Sequence, residues 1–370
     1  MKHIPFLIIA VILFSCGGSG SRTSDNAADG NDTIAELKIK LEPLKDENLK
    51  LKGKDPFGKV IELKGEQMVI DSLIFTPSEI EMIIKNNRLL MKQSSRSNDE
   101  MFIILSFPDL RLIKTFGSRG PGPDDFMYPN LCRNTDPDIL ASIVETTNGK
   151  IYNVLPDGTL RPGRIPKFKS KSKYSGEYPA LMTDSLFYYV ANSSTGKSVF
   201  TVSGSDSIQT SEIQNLALDP KRKGWANYIG DFAINPEQTR MVYAYKYFKI
   251  VRFFDMEYQT VRTINFEREE FDESTQNQVM GMDANVTHYW GICACVNHVY
   301  MLYSGRTPAQ VWNDNKKENY YIFVEKYDWN GNPVTKYKLD QWGYFTVDEE
   351  NNLLYLVSTN DDDPFFIYQL

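Results

Sequence analysis

Histidine is nearly missing from this sequence, with three in 370 residues, and cysteine numbers only four. So few nitrogen and sulfur donors exclude rich metal clusters and a disulfide framework. Surplus basic charge is also lacking: 41 Lys and Arg stand against 48 Asp and Glu, a net charge of −7. That excludes general nucleic-acid binding, which is driven by excess cations. There is no Gly-x-Ser-x-Gly elbow and no His-Glu-x-x-His, and the glycines at 117, 120 and 122 lack the Gly-Lys-Ser/Thr of a phosphate loop. What is present is an ordinary globular composition, 41% hydrophobic and 24% charged, which excludes disordered and collagen-like classes. It is rich in rings, with 21 Phe, 21 Tyr and 5 Trp.

Residues 1–15 read as a basic start (Lys2, His3), an apolar run from Ile4 to Phe14 and a small residue, Ser15, before Cys16. The run is a secretory signal, too short to span a membrane as a helix. Leu13-Phe14-Ser15-Cys16 resembles a bacterial lipoprotein cleavage box, which implies that Cys16 becomes the lipidated first residue and anchors the chain to a membrane. Removing residues 1–15 leaves a mature charge of −8. Gly17–Asp32 is small and polar, a flexible tether. Thr33–Lys54 mixes charge with Leu37, Leu41, Leu44 and Leu51, but Pro43 breaks any helix. Residues 16–58 are therefore expected to be a lipidated tether and poorly ordered stalk, ahead of a single domain over 59–370.

From Lys59 onward, short β-branched and aromatic runs alternate with turn residues. One ladder of turns, marked by Asp109, Asp157, Ser205, Glu257 and Asn330, has spacings of 48, 48, 52 and 73. A second, at Asn86-Asn87, Asp136-Pro137, Thr183-Asp184, Asn235-Pro236, Asn297-His298 and Glu350-Asn351, has spacings of 50, 47, 52, 62 and 53. Two interleaved ladders of one period near 50 mean repeated four-stranded units, as in β-propellers. Pro364–Leu370 is the third strand of the last unit, so its outer strand must come from elsewhere. Lys59–Leu63 or Met68–Phe75 is the strand-like sequence left over. The expected fold is all-β, a six-bladed β-propeller closed by an N-terminal strand that completes the C-terminal blade.

The segment Gly117-Ser118-Arg119-Gly120-Pro121-Gly122-Pro123-Asp124-Asp125-Phe126, followed by Pro129, resembles the Gly-Pro-Gly crossover of NHL repeats. More closely, with the closing Lys326–Asn332 and Tyr355, it resembles the TolB-like six-bladed propeller lipoproteins of Bacteroidetes. It departs from them at Asp124-Asp125, where that family has Glu before the Phe. The resemblance implies a propeller in the cell envelope, with no assigned activity for most members; the chain is expected to be a monomer at the outer membrane.

Strands alternate direction within a blade, so the loops after second and fourth strands share one face. These are the long ones: 117–129, 166–178, 213–228, 266–288, 304–319 and 359–364. Long loops on a rigid scaffold carry binding. Candidate binding residues on that face are Arg119, Asp124, Trp225, His288, Trp290, Arg306, Trp312 and Trp342; Trp329 falls on the other face. Basic (Arg161–Lys173) and acidic (Glu267–Glu273) stretches on this same face leave no single sign of field.

His288-x4-Cys293-x-Cys295-x2-His298 matches no common zinc spacing, and in a strand the two thiols face one way as a core pair. Asp361-Asp362-Asp363 reads as a solvated turn rather than a calcium loop. No metal or cofactor is expected, nor a nucleic-acid partner. The favoured reading is a non-catalytic envelope module that binds a protein or a glycan through its long-loop face. The alternative is a propeller hydrolase or lyase acting on an extracellular polysaccharide or peptide, with a carboxylate or His288 as acid or base.

Overall fold

The computed structural model describes residues 39–70, 79–93, 100–122, 125–145, 149–163, 178–203, 209–222, 224–257, 259–268, 271–272 and 281–370. The signal sequence, Cys16, Asp124 and most of the basic run lie outside the described residues. The rest is built almost entirely of strands, in six four-stranded units.

In chain order, blade I is Glu81–Lys85, Arg88–Lys92, Phe102–Ser106 and Leu112–Phe116. Blade II is Pro129–Asn134, Ala141–Glu145, Lys150–Val154 and Leu160–Pro162. Blade III runs from Tyr178–Met182 through Leu186–Ser193 and Gly196–Ser203 to Gln209–Asn215. Blade IV holds Gly230–Ile234, Arg240–Tyr245, Ile250–Asp255 and Val261–Asn265. Blade V holds Thr287–Ala294, His298–Arg306, Ile322–Asp328 and Pro333–Leu339. Blade VI has Gly343–Asp348, Leu353–Ser358 and Phe365–Gln369. The first strand of each blade touches the first strand of the next, and blade VI touches blade I, so six inner strands ring a central channel.

The turns between first and second strands fall where the sequence placed them. Asn86 and Asn87, for example, both take the left-handed conformation (φ 52° and 53°) that a two-residue hairpin requires and Asn tolerates. Gly230 and Gly343 open inner strands of blades IV and VI at points where a Cβ would run into the carbonyl of Ala244 or Val357, so the close approach needs glycine. The Gly-Pro-Gly crossover proves structural. Asp125 accepts the Gly122 N–H at 3.0 Å, and Phe126 enters the core between blades I and II, edge-on to Phe102 at 5.2 Å.

Closure is by an N-terminal strand, as expected, but its position is corrected. Glu66–Met68 pairs antiparallel with Phe365–Gln369 and supplies the fourth strand of blade VI. Of the two expected segments, Met68–Phe75 contributes Met68 and lies outside the described residues from 71 onward, while Ile61–Leu63 joins blade V as a fifth, parallel strand. The stalk expectation is also corrected over residues 39–58. Glu47–Lys50 pairs in parallel with Val261–Asn265 as a fifth strand of blade IV. Leu44 and Phe57 are buried in the core between blades IV and V. Polar contacts fix this segment: Leu44 N–H donates to Asp255, Arg240 donates to the Glu42 carbonyl while paired to Asp255, and Lys336 holds Asp55 at 3.2 Å. Burial pushes the Asp55 carboxyl up, but the Phe57 N–H and the Lys336 and Lys249 charges outweigh it and hold the group below its usual range.

Behind Asp55 lies a buried ionic cluster. Glu325, with no accessible side-chain surface, meets Lys249 at 3.1 Å and Lys336 at 3.2 Å, and accepts hydrogen bonds from the Tyr289 and Tyr327 hydroxyls at 2.9 and 3.1 Å. Each lysine is walled by rings: Lys249 lies 4.0 Å from Phe266 and 4.1 Å from Tyr303, and Lys336 lies 4.6 Å from Tyr303. The cluster ties blade IV to blade V and both to the N-terminal segment.

The extra length of blade V after its second strand is a helix, α1, Pro308–Asn315. It begins with a complete capping box, Thr307 with Gln310, and Pro308 in its first turn.

Candidate functional site

Inner strands run in parallel from the long-loop face toward the short-turn face, so their first residues form a channel mouth among the long loops. The channel holds a cavity of about 320 Å³ lined by inner strands of all six blades, at the small end of the range for ligand sites. Most of its wall is apolar, including Ile83, Leu131, Ile234, Ile292 and Phe345. Four polar side chains break that wall: Glu81 on blade I, Asn130 and Arg133 on blade II, and Asp231 on blade IV.

Glu81 is committed, paired to Lys92 and accepting the Leu131 N–H. Asp231 differs: among the described residues its carboxylate makes no direct hydrogen bond or ion pair. Burial pushes its pKa up to about 6, partly opposed by the more distant charges of Lys246 and Lys197. Burial also lowers the Lys197 ammonium to about 8. An acid whose folded-state pKa is raised favours the folded state only while protonated, so stability falls as pH rises from about 4 through 6 and stays lower above. Asp231→Asn should therefore raise the melting temperature at pH 7, by about 1–2 kcal/mol of stability after allowance for solvent in the channel. It should also flatten the stability profile between pH 4 and 6, as a pH series of thermal unfolding would measure.

At the mouth stand two indoles. Trp290, 40% exposed, meets Trp342 edge to face with centroids 6.0 Å apart. Lys246 lies 4.7 Å from the Trp290 ring, and Arg306 lies 5.6 Å from Trp342. Trp312, 38% exposed, sits farther out on α1 under Lys316, whose ammonium is 3.4 Å from the ring. Arg306 positions these parts. It pairs with Asp314 of α1 at 2.8 Å, donates to the Tyr321 carbonyl and stacks on the Tyr321 ring at 3.7 Å.

The sequence-selected residues therefore separate. Trp290 and Trp342 meet at the channel mouth, Trp312 stands on the rim, and Arg306 is a buried brace rather than an exposed contact. Arg119 bridges to Phe126 in the crossover, and Trp225 lies in a 3₁₀ turn, Trp225–Tyr228. His288 is corrected as a binding or acid–base residue: it is 1% exposed and stacks on Tyr303 at 6.0 Å. Burial first, then the charges of Lys249 and Arg268, hold its pKa down at about 3, so it stays neutral. Trp329, as expected away from this face, is buried and donates its indole N–H to the Cys295 carbonyl at 3.0 Å.

Cys132, Cys293 and Cys295 are free thiols. Cys293 and Cys295 lie with sulfurs 4.0 Å apart in the core between blades V and VI. His298 is bonded to Glu349 at 2.6 Å.

Sequence reading missed Arg133, Asp231 and Lys246. A signal existed for the first two: each is a lone charge inside an inner strand, PNLCRN and GDFAI, whose other residues are mostly apolar or small.

Residues 202–350 match the profile of the TolB-like 6-blade propeller-like family. The fold of the described residues is a six-bladed propeller, and the matched stretch is similar to that family. A solved DUF4221-family protein from Bacteroides vulgatus superposes with a TM-score of 0.56 at 11% identity, over 84% of this chain and 98% of its own. A candidate exported protein from Bacteroides fragilis gives 0.49 at 11% identity over 87% and 98%, and TolB from Acinetobacter baumannii gives 0.41 at 15% over 78% and 62%. At these identities the likeness is one of fold. No curated protein matches the chain.

Proposed function

We propose that this TolB-like propeller is a lipid-anchored, non-catalytic component of the cell envelope that holds an acidic glycan against its long-loop face. The observation that carries the reading is the pair of indoles at the channel mouth, Trp290 and Trp342, with the Lys246 ammonium beside the Trp290 ring. An indole offers a flat apolar face to the C–H side of a sugar ring, and the neighbouring Lys246 ammonium offers charge to an acid substituent. The envelope location rests on the apolar run ahead of Cys16 and is consistent with the exported description of the Bacteroides fragilis protein.

Binding is favoured over turnover because the channel's carboxylates are not a free acid–base pair. Glu81 is held by Lys92 and the Leu131 N–H, and neutral, buried His288 lines no part of the cavity.

The test is binding of a uronic-acid polymer, oligogalacturonate, to the mature protein. The Trp290→Ala/Trp342→Ala double variant should bind about 10- to 100-fold more weakly, at about 1–3 kcal/mol for lost aromatic contacts. Equal binding by a folded double variant would remove the face assignment.

A further inference from the structure

The floor of the channel is crossed by one side chain. Arg133 is the fifth residue of the blade II inner strand, near its short-turn end, and its Nη2 reaches Cys293 Sγ on blade V at 3.5 Å. Blades II and V are opposite in the ring of six, so the guanidinium spans the channel and closes it from below. The Cys295 hydrogen bond first, and the Arg133 charge as well, hold the Cys293 thiol below its usual range, and the sulfur takes one of five guanidinium donors. Among the described residues Arg133 has no carboxylate within ion-pairing distance. Arg240, Arg262 and Arg306, by contrast, pair with Asp255, Glu47 and Asp314. Arg240 and Arg306 also bury an unsatisfied Nε, whereas no Arg133 nitrogen is both buried and unsatisfied. Its remaining donors are therefore reachable by solvent, and Arg133 lines the cavity.

Above this cation the wall is mostly apolar, and a guanidinium in such surroundings gains from an anion that comes to it. Nearer the mouth stands Asp231, the second residue of its strand. The two backbone positions differ by two to three residues of parallel strand, about 7–10 Å along the axis. The cavity thus offers a fork for an oxyanion at the bottom, an acceptor for hydroxyls higher up, and rings at the entrance in Trp290 and Tyr344.

Building on the reading of the long-loop face as a glycan surface, we propose that the channel is an end-group pocket for a uronic acid. The sugar's carboxylate lies on Arg133, its hydroxyls donate toward Asp231, and the next sugar emerges over Trp290. A neutral sugar gives the remaining guanidinium donors no oxyanion, so the pocket selects acid-terminated chains.

Calorimetric titration of the mature protein with sodium D-glucuronate, its neutral amide D-glucuronamide, and oligogalacturonate tests this. Glucuronate should bind at least tenfold more tightly than the amide, a comparison that needs no variant. Arg133→Gln, checked by thermal unfolding, should lose about 10- to 100-fold in glucuronate affinity, with Arg133→Lys in between. Trp290→Ala/Trp342→Ala should lose oligogalacturonate while keeping the Arg133 dependence of glucuronate. Equal binding of acid and amide, with the polymer still lost in the double Trp variant, overturns the pocket and leaves the face reading standing. Arg133-dependent glucuronate binding with polymer affinity untouched by the Trp changes does the reverse. No binding of any of the three probes overturns both.

Discussion

Glu325→Gln should lower the stability of the propeller by about 3–5 kcal/mol, because it leaves Lys249 and Lys336 buried without their shared counter-charge. Replacing a buried ion pair by well-packed apolar groups is often neutral, but removing one partner is not. Here the remaining partner is a pair of ammoniums, 2% and 7% exposed, facing one neutral amide. Burial already pulls the Lys249 ammonium below its usual range, and the Glu325 charge is the main influence opposing that. The variant should melt on the order of 10 °C below wild type. It should also recover stability as pH rises into the range where one lysine sheds its proton. Lys336→Met should cost less, since it leaves Lys249 paired with Glu325. A Glu325→Gln protein melting within 2–3 °C of wild type, roughly 1 kcal/mol, would mean that the cluster is already relieved by water.

The second large effect concerns the chain ahead of the blades. A protein starting at Lys59, where sequence reading placed the domain boundary, keeps the closing strand Glu66–Met68 but loses Leu44, Leu51 and Phe57 from the core between blades IV and V. At about 1.5–3 kcal/mol for each large apolar side chain, the loss is roughly 5 kcal/mol, before the Asp55–Lys336 and Arg240–Glu42 contacts are counted. This chain should fold with a clearly lowered melting temperature. A chain starting after Met68 should do worse, because Phe365–Gln369 becomes an open edge strand with an apolar face, the kind of edge that pairs with other copies. It should be recovered as aggregate, or as oligomers on size exclusion. If both truncations were monomeric and as stable as the full chain, the N-terminal segment would be decoration rather than part of the fold.

These cases show why the propeller was legible and its belt was not. Hairpin turns need particular residues at fixed offsets, so Asn86-Asn87, Asn235-Pro236 and Glu350-Asn351 announce themselves locally and repeat with the blade. Asp55 is held by Lys336 and Ile39 N–H by Asn297, contacts 281 and 258 residues apart. Nothing within residues 39–58 distinguishes charged and leucine positions that dock from the same pattern in a free stalk. Helix α1 was legible in principle, since Thr307-Pro308-x-Gln310 is a capping signature, but one short helix inside a strand lattice carries no period to reveal it.

The site divides in the same way. Tryptophan is rare and large, so Trp290, Trp312 and Trp342 stand out in sequence, and the structure brings two of them together. His288 stands out as strongly and was misplaced: one residue before Tyr289, it turns into the core rather than the channel. Arg133 and Asp231 are common residue types whose significance comes from the ring of six inner strands, which no local pattern displays.

The measurement that bears most directly on the face assignment is recovery of the full-length protein from native envelopes, with mass spectrometry of bound protein and sugar analysis of bound glycan. It would be run in parallel on wild type and on the Trp290→Ala/Trp342→Ala variant. The expected result is uronic-acid-containing glycan with the wild type and none with the variant. A stoichiometric protein held equally by both, with no glycan, would contradict it.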